Sequence, residues 1–381
     1  MPAKPSTKPS IPELAAPEAS EHSRLYRTKA FPFVSEGSVY CFGLREHLVK
    51  PTIARGESAI SALLALPSGN VYGLTCGEKC HLFYFHPGFG VAHTGAVSES
   101  TATGGALLQI GDQQLLGGWH GPDAGGLFRH DATAEMGQGM EQFRGAKSPI
   151  EPLALPAGTG GVMALAGPVE GVAYALTTSG ALVAVDCATG KTKTVARVAA
   201  AAPALVALPD GHLLGAFAEG QLWQYSPSEA RLTALEAHAP CQKGKRYVAG
   251  VQSLIAAEDG LVYGGTSVDG YLFTYSQQTG AVINLGKPNR QSNVRALAQG
   301  RDGFHYGLVE EQQGMAHLFR YSPDQGFTDL GLLCSAFPEY WIAHSLSTLS
   351  VGPNGELFGG ESDDISHLFI YYPPVHRTPR L

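Results

Sequence analysis

Apolar residues in this chain fall into short runs that alternate with polar ones, broken every few residues by glycine-bearing turns. Alternation of this kind predicts β-strands, because successive side chains on an extended backbone point to opposite faces. The arrangement recurs. Each unit holds an apolar strand, a turn, a second strand, a loop, and a third strand of the form Leu-Phe-x-Tyr or a close variant. The second strand reads VYGLT at Tyr72, LLGGW at Leu116, VAYALT at Tyr174, LLGAF at Leu214, VYGGT at Tyr263, HYGLV at Tyr306 and LFGGE at Phe358. The third reads HLFYF at Leu82, GLFRH at Leu127, ALVAV at Leu182, QLWQY at Leu222, YLFTY at Leu272, HLFRY at Leu318 and HLFIY at Leu368. Second strands follow one another at intervals of 40 to 58 residues, and each third strand lies 8 to 12 residues further on. Seven matches in register establish a repeat.

The third strands carry bulky apolar groups on both faces, so each requires a neighbouring sheet on either side. First and second strands are joined by PSGN at Pro67, PDGH at Pro209, EDGL at Glu258, RDGF at Arg301 and PNGE at Pro353. These read as hairpin turns with glycine where a positive φ is needed. Four-stranded antiparallel sheets, repeated and packed face to face, predict an all-β, seven-bladed β-propeller. A linear solenoid would need polar capping repeats at both ends, and none is evident. The last unit ends at HLFIYYPP, with seven residues after Pro374. Upstream, GSVYCFGL (37–44) is strand-like and has no unit of its own, so it is expected to supply the outer strand of the last blade. Over about residues 31–375 the chain resembles the seven-bladed superfold of WD-repeat and kelch proteins. The Gly-His…Trp-Asp signature of WD repeats is absent. A kelch-like glycine pair occurs in the second strand only at Gly117-Gly118, Gly264-Gly265 and Gly359-Gly360. Residues 1–30 read as a disordered leader and 376–381 as a C-terminal tail.

Composition sharpens this picture. The 48 glycines in 381 residues are nearly twice the usual share of roughly 7%, as turn-rich β-structure demands. Net charge is −7, and the densest basic cluster is the short Lys243-Gly-Lys245-Arg246, so no nucleic-acid partner is expected. No run approaches the roughly 20 apolar residues of a membrane span, and the first twenty residues lack a secretory pattern. Membrane association is therefore not expected, and the location reads as cytoplasmic. The six cysteines (Cys41, Cys76, Cys80, Cys187, Cys241, Cys334) show no zinc-finger spacing and are expected to be buried, reduced thiols. Neither a cofactor nor a metal is implied.

In a propeller, the first-to-second and third-to-fourth turns form one face. The second-to-third loops and the connections between blades form the other. Here the first set is short and generic and the second is long and variable, which assigns function to the second. Its loops supply Arg55, then Trp119 and His120 in GGWHGPDAGG, then Arg246 and Tyr247 in KGKRYVAG. They continue with Asn293 and Arg295 in NRQSNVR and Tyr340, Trp341 and His344 in FPEYWIAHS. Converging on the channel mouth, these groups predict a funnel for an acidic saccharide or other small anionic ligand. Arg55, Trp119, Arg246, Asn293, Arg295 and Trp341 are its binding candidates.

The catalytic form of this reading is β-elimination on a uronic-acid polysaccharide. It needs a cation for the carboxylate, a base for the α-proton and an acid for the leaving oxygen. Arg246 or Arg295 would be the cation, with His120, Tyr247, Tyr340 and His344 as base and acid. In fold and residue types this resembles the propeller-fold polysaccharide lyases. The alternative is a non-catalytic propeller that presents the same face to a protein partner. A calcium-dependent lactonase is disfavoured by the scarcity of acidic and amide residues in these loops, and no G-x-S-x-G elbow appears. Three histidines, His81, His317 and His367, recur just before Leu-Phe and are expected to make inter-blade hydrogen bonds. Asp363-Asp364 reads as a solvated turn.

Overall fold

The structure is a computed structural model and describes residues 34–44, 53–86, 90–135, 150–246, 250–310, 315–335 and 340–374. The leader, the tail and Tyr247 lie outside these residues. The first strand, β1 (Ser38–Gly43), belongs to the last sheet. Blade 1 is β2–β5 (Ala59–Ala65, Val71–Gly77, His81–His86, Gly90–Ala96), and blade 2 is β6–β9 (Ala102–Gln109, Gln114–His120, Gly125–Asp131, Ile150–Leu153). Blade 3 is β10–β13 (Val162–Val169, Val172–Thr177, Ala181–Asp186, Thr192–Arg197), and blade 4 is β14–β17 (Ala201–Ala207, Leu213–Phe217, Gln221–Ser226, Arg231–His238). Blade 5 is β18–β21 (Val251–Ala256, Val262–Thr266, Leu272–Tyr275, Val282–Gly286), and blade 6 is β22–β25 (Asn293–Gln299, His305–Glu310, His317–Ser322, Gly326–Leu332). A short pair, β26–β27 (Cys334–Ser335, Trp341–Ile342), precedes β28–β30 (Leu346–Val351, Leu357–Glu361, His367–Tyr372). The chain is a seven-bladed β-propeller.

Its last sheet runs in the order β1-β30-β29-β28, so the N-terminal strand closes the ring as expected. Tyr40 pairs with Ile370 and Cys41 with Phe369 in that antiparallel seam. Blades 1 and 2 are further stitched together where β3 continues to pair Cys76 with Thr103 and Gly77 with Ala102.

An apolar cluster fills every interface between neighbouring blades. That between blades 7 and 1 joins Phe358, Leu368 and Ile370 to Ile60, Val71 and Phe85. The one between blades 6 and 7 takes in Cys41 of the closing strand beside Tyr306, Leu318 and Phe369. The third strands are accordingly buried on both faces, as in β4 and β20. Outer strands such as β17 are half exposed.

The turn glycines behave as the sequence demands. Gly69, Gly211, Gly260, Gly303 and Gly355 all have φ between 81° and 92°, and each donates its N–H three residues back to close the turn. Second-strand glycines serve packing instead. Gly73, Gly117, Gly215, Gly264 and Gly307 face Phe83, Phe128, Trp223, Phe273 and Phe319 across the ladder. In each case the ring lies where a β-carbon would be.

The three recurrent histidines, expected to bond between blades, each make a hydrogen bond within their own blade. His317 pairs with Asp329 of its own β25 at 3.0 Å, and His367 with Glu361 of its own β29 at 2.9 Å. His81 bonds to His93 at 3.0 Å and to Glu57, on the segment leading into blade 1, at 2.8 Å. At the start of a third strand each ring thus looks across to the adjacent strand, and that of His81 also reaches the connection from blade 7. The cysteines are all free. Only Cys41 and Cys80 are buried, and the other four are half-buried.

Candidate functional site

On the candidate face the second strands end and the third begin, and each loop there must satisfy the N–H that starts the third strand. In three blades a threonine does so. The amides of His81, Ala181 and Tyr271 donate to Thr75, Thr177 and Thr266 Oγ1 at 2.9, 3.1 and 2.8 Å. Blade 7 puts Glu361 at this position, and the His367 amide donates to its Oε2 at 3.1 Å. That carboxylate is wholly buried. A buried charge is tolerated only when its oxygens are well bonded, and these accept three further donors. Trp341 Nε1 lies 3.1 and 3.0 Å from the two oxygens, the His344 amide 3.1 Å from Oε1, and His367 Nδ1 2.9 Å from Oε2. The indole of Trp341 also packs on the His367 ring, tilted by 31° with centroids 4.2 Å apart.

Next to it, Glu310 at the end of β23 is paired with Arg295 of the innermost strand β22. Its side chain is 4% exposed and that of Arg295 37%. Ser345 Oγ donates to Glu310 at 3.0 Å and lies 3.0 Å from Ser362 Oγ. Two acids from blades 6 and 7 thus grip the segment Trp341–Ser345. Neither was singled out from the sequence. The available signal was Glu361 in LFGGE, an acid where other repeats carry Thr, Trp, Phe or Val.

Arg295 also lines a central cavity of about 210 Å³, among Met163, Ser253, Ser347, Thr348 and Leu349. Its Nε is buried without an acceptor. The Ser253 and Ser347 hydroxyls are committed to the Val294 and Ile60 carbonyls. A larger cavity of about 370 Å³ lies away from this face, at the outer rim between blades 7 and 1. It is lined by Ser38, Tyr40, Phe42, Phe85, Ile370 and Tyr372, with no charged side chain.

The remaining candidates spread around the ring. Trp119 and His120 end β7 of blade 2, where Trp119 packs over Gly126 and His120 against Gly161. Burial holds the His120 imidazole below the ordinary histidine range. Asn293 Oδ1 accepts the Val268 amide at 3.1 Å and so fastens blade 6 to the blade 5 loop. Arg55 is largely exposed and lies 3.6 Å from Asp364, while Asp363 Oδ1 closes its turn on the Asp364 amide. Arg246 is exposed. Tyr340 is 70% exposed and reaches the Cys334 thiol, which burial pushes up and this contact draws back. The His344 side chain is exposed. The structure therefore joins Arg295, Trp341 and His344 through one acid network, and leaves His120 and Arg246 in other blades. Among the described residues, no group of three or more His, Cys, Asp or Glu is placed to hold a metal ion.

No family model and no curated protein matches the chain. Solved structures do. A streptogramin B lyase superposes with a TM-score of 0.64 at 9% identity, covering 88% of this chain and 100% of that one. The WD40 propeller domain of Doa1 gives 0.58 at 15% identity, covering 88% and 97%. The extracellular domain of BT4673 from B. thetaiotaomicron gives 0.57 at 13% identity. That match covers 82% of this chain, which spans only 38% of the other. At such identities the likeness concerns the fold.

Proposed function

We propose that this chain is a non-catalytic binding propeller that receives a protein partner on the face of its second-to-third loops, through the rim formed by Tyr340, Trp341 and His344. The exposure of Tyr340 carries the reading. At 70% it is the most exposed large apolar side chain among the described residues, and it adjoins a tryptophan whose polar end is anchored. Aromatic side chains that combine apolar area with few rotatable bonds are enriched at interfaces. Among the described residues, the groups that elimination chemistry would need do not come together in the central cavity. The charge of Arg295 is countered by Glu310, and neither His120 nor His344 lines the central cavity.

The test is a photo-crosslinking phenylalanine analogue at Tyr340, compared with the same group at Ile283. Ile283 is 59% exposed but sits on the outer strand of blade 5. A specific adduct at Tyr340 alone is expected. Equal capture at both positions, or none, would count against the reading.

A second reading keeps the central cavity as a site for a small anionic, saccharide-like ligand. The unpartnered Nε of Arg295 favours it, and so does the likeness to a lyase of the same fold. In its catalytic form the chain would act on uronic-acid polysaccharides by β-elimination, with His344, Tyr340, Tyr247 or His120 as base and acid. Incubation with a panel of acidic polysaccharides decides between the two. Absorbance from an unsaturated uronate would establish the second reading, and its absence across the panel is expected.

A further inference from the structure

Threonine closes the loop between second and third strands in blades 1, 3 and 5 with one neutral oxygen, exposing no charge to an apolar interior. Blade 7 makes the same closure with a carboxylate that has no access to water. Loop closure alone does not call for an acid there. What the acid adds is its spare acceptor capacity, and every additional donor but one comes from the segment between blades 6 and 7. We propose that Glu361 and Glu310 are positioning residues that hold Trp341–Ser345 rigid, so that Tyr340 and the His344 ring are presented from a fixed backbone. This rests on the reading of that rim as a binding surface.

The segment is held at both ends. Glu361 takes Trp341 Nε1 and the His344 amide, and Glu310 takes Ser345 Oγ. The backbone between them is fixed by Ala316, whose amide donates to the His344 carbonyl at 2.9 Å. On the other side, Ser362 donates to the Ser345 carbonyl at 2.8 Å. Arg295 balances the charge of Glu310 from the channel side. A rim ordered before its partner arrives loses less conformational freedom on binding. Glu310 links the channel to the rim, since Arg295 touches the cavity and Glu310 also takes Ser345.

Glu361→Thr tests this directly, because threonine is what three other blades use. The His344 amide should exchange with solvent roughly tenfold faster than in the wild type, a local opening. The His367 amide should stay protected, because the new hydroxyl takes it as Thr75 takes the His81 amide. Trp341 fluorescence should become more open to acrylamide quenching. It is isolated as the difference from Trp341→Phe, because the chain has three tryptophans. If Glu361→Thr does not fold, Glu361→Gln replaces one acceptor by a donor facing Trp341 Nε1 or His367, and should shift both readouts the same way by about threefold. Unchanged His344 exchange and Trp341 quenching in a folded variant would overturn the proposal. These readouts involve no partner. Faster exchange with undiminished crosslinking at Tyr340 would overturn the proposal that the clamp presents Tyr340, whereas absence of a Tyr340 adduct in the wild-type background would count against the binding reading instead.

Discussion

At Gly264 the second strand of blade 5 lacks a side chain because the Phe273 ring of the neighbouring strand occupies that space. Adding one methyl there overpacks a buried site, and Gly264→Ala should cost about 1–3 kcal/mol in chemical denaturation. Blade 3 shows the alternative solution, with Ala175 opposite Val183. Phe273→Val should therefore relieve part of the cost, and a double-mutant cycle measures the coupling. Additive losses would mean that ring and glycine are not in conflict. His305 offers a second residue-level test. It is 3% exposed and stacks 3.8 Å from Tyr263. Burial holds it below the ordinary histidine range, with the Asp259 charge opposing. In the unfolded chain the ring titrates near about 6.5, so below that pH the unfolded state binds more protons. The His305 contribution is complete above it and is lost as pH falls toward the folded value. Denaturation midpoints for the wild type should drop from about pH 7.5 to 5.5, and His305→Phe should flatten that drop. Equal slopes would contradict it.

The strand that closes the ring was legible in the sequence, because GSVYCFGL had strand periodicity but no unit to join and the last unit lacked an outer strand. Truncation through Gly43 should uncover the free edge of β30 and the apolar wall around Phe369, lower the denaturation midpoint and broaden the transition. An unchanged, equally sharp transition would show that β1 does not close the ring. The second and third strands were equally readable, since burial on both faces leaves a two-sided apolar pattern. The clamp was not. Glu361 and Glu310 are single acids at strand ends, and their partners Trp341, His344 and Ser345 lie on another connection. Nothing in the linear order states that Arg295 will meet an acid from the adjoining strand rather than a ligand. The histidines were misread for a related reason: a repeat position fixes where a ring starts, not which neighbour it faces.

Across the whole molecule, seven stacked sheets form a ring whose interfaces all carry apolar clusters, and the variable loops lie on one side of it. The second strand ends, the third strand starts and the blade connections all meet on that side, which brings Tyr340, Trp341, His344 and Arg55 to one face. On the proposed reading this face, and not the outer strands, receives the partner. Once crosslinking at Tyr340 has identified that partner, its affinity for three folded variants gives the most direct measurement. Tyr340→Ala and Trp341→Phe alter the rim, and Ile283→Ser alters the outer strand of blade 5. An aromatic anchor at an interface centre is worth about 2 kcal/mol or more. Tyr340→Ala should therefore weaken binding by roughly thirtyfold, with a smaller loss for Trp341→Phe and none for Ile283→Ser. Equal affinity for wild type and Tyr340→Ala, or a loss confined to Ile283→Ser, would contradict the claim.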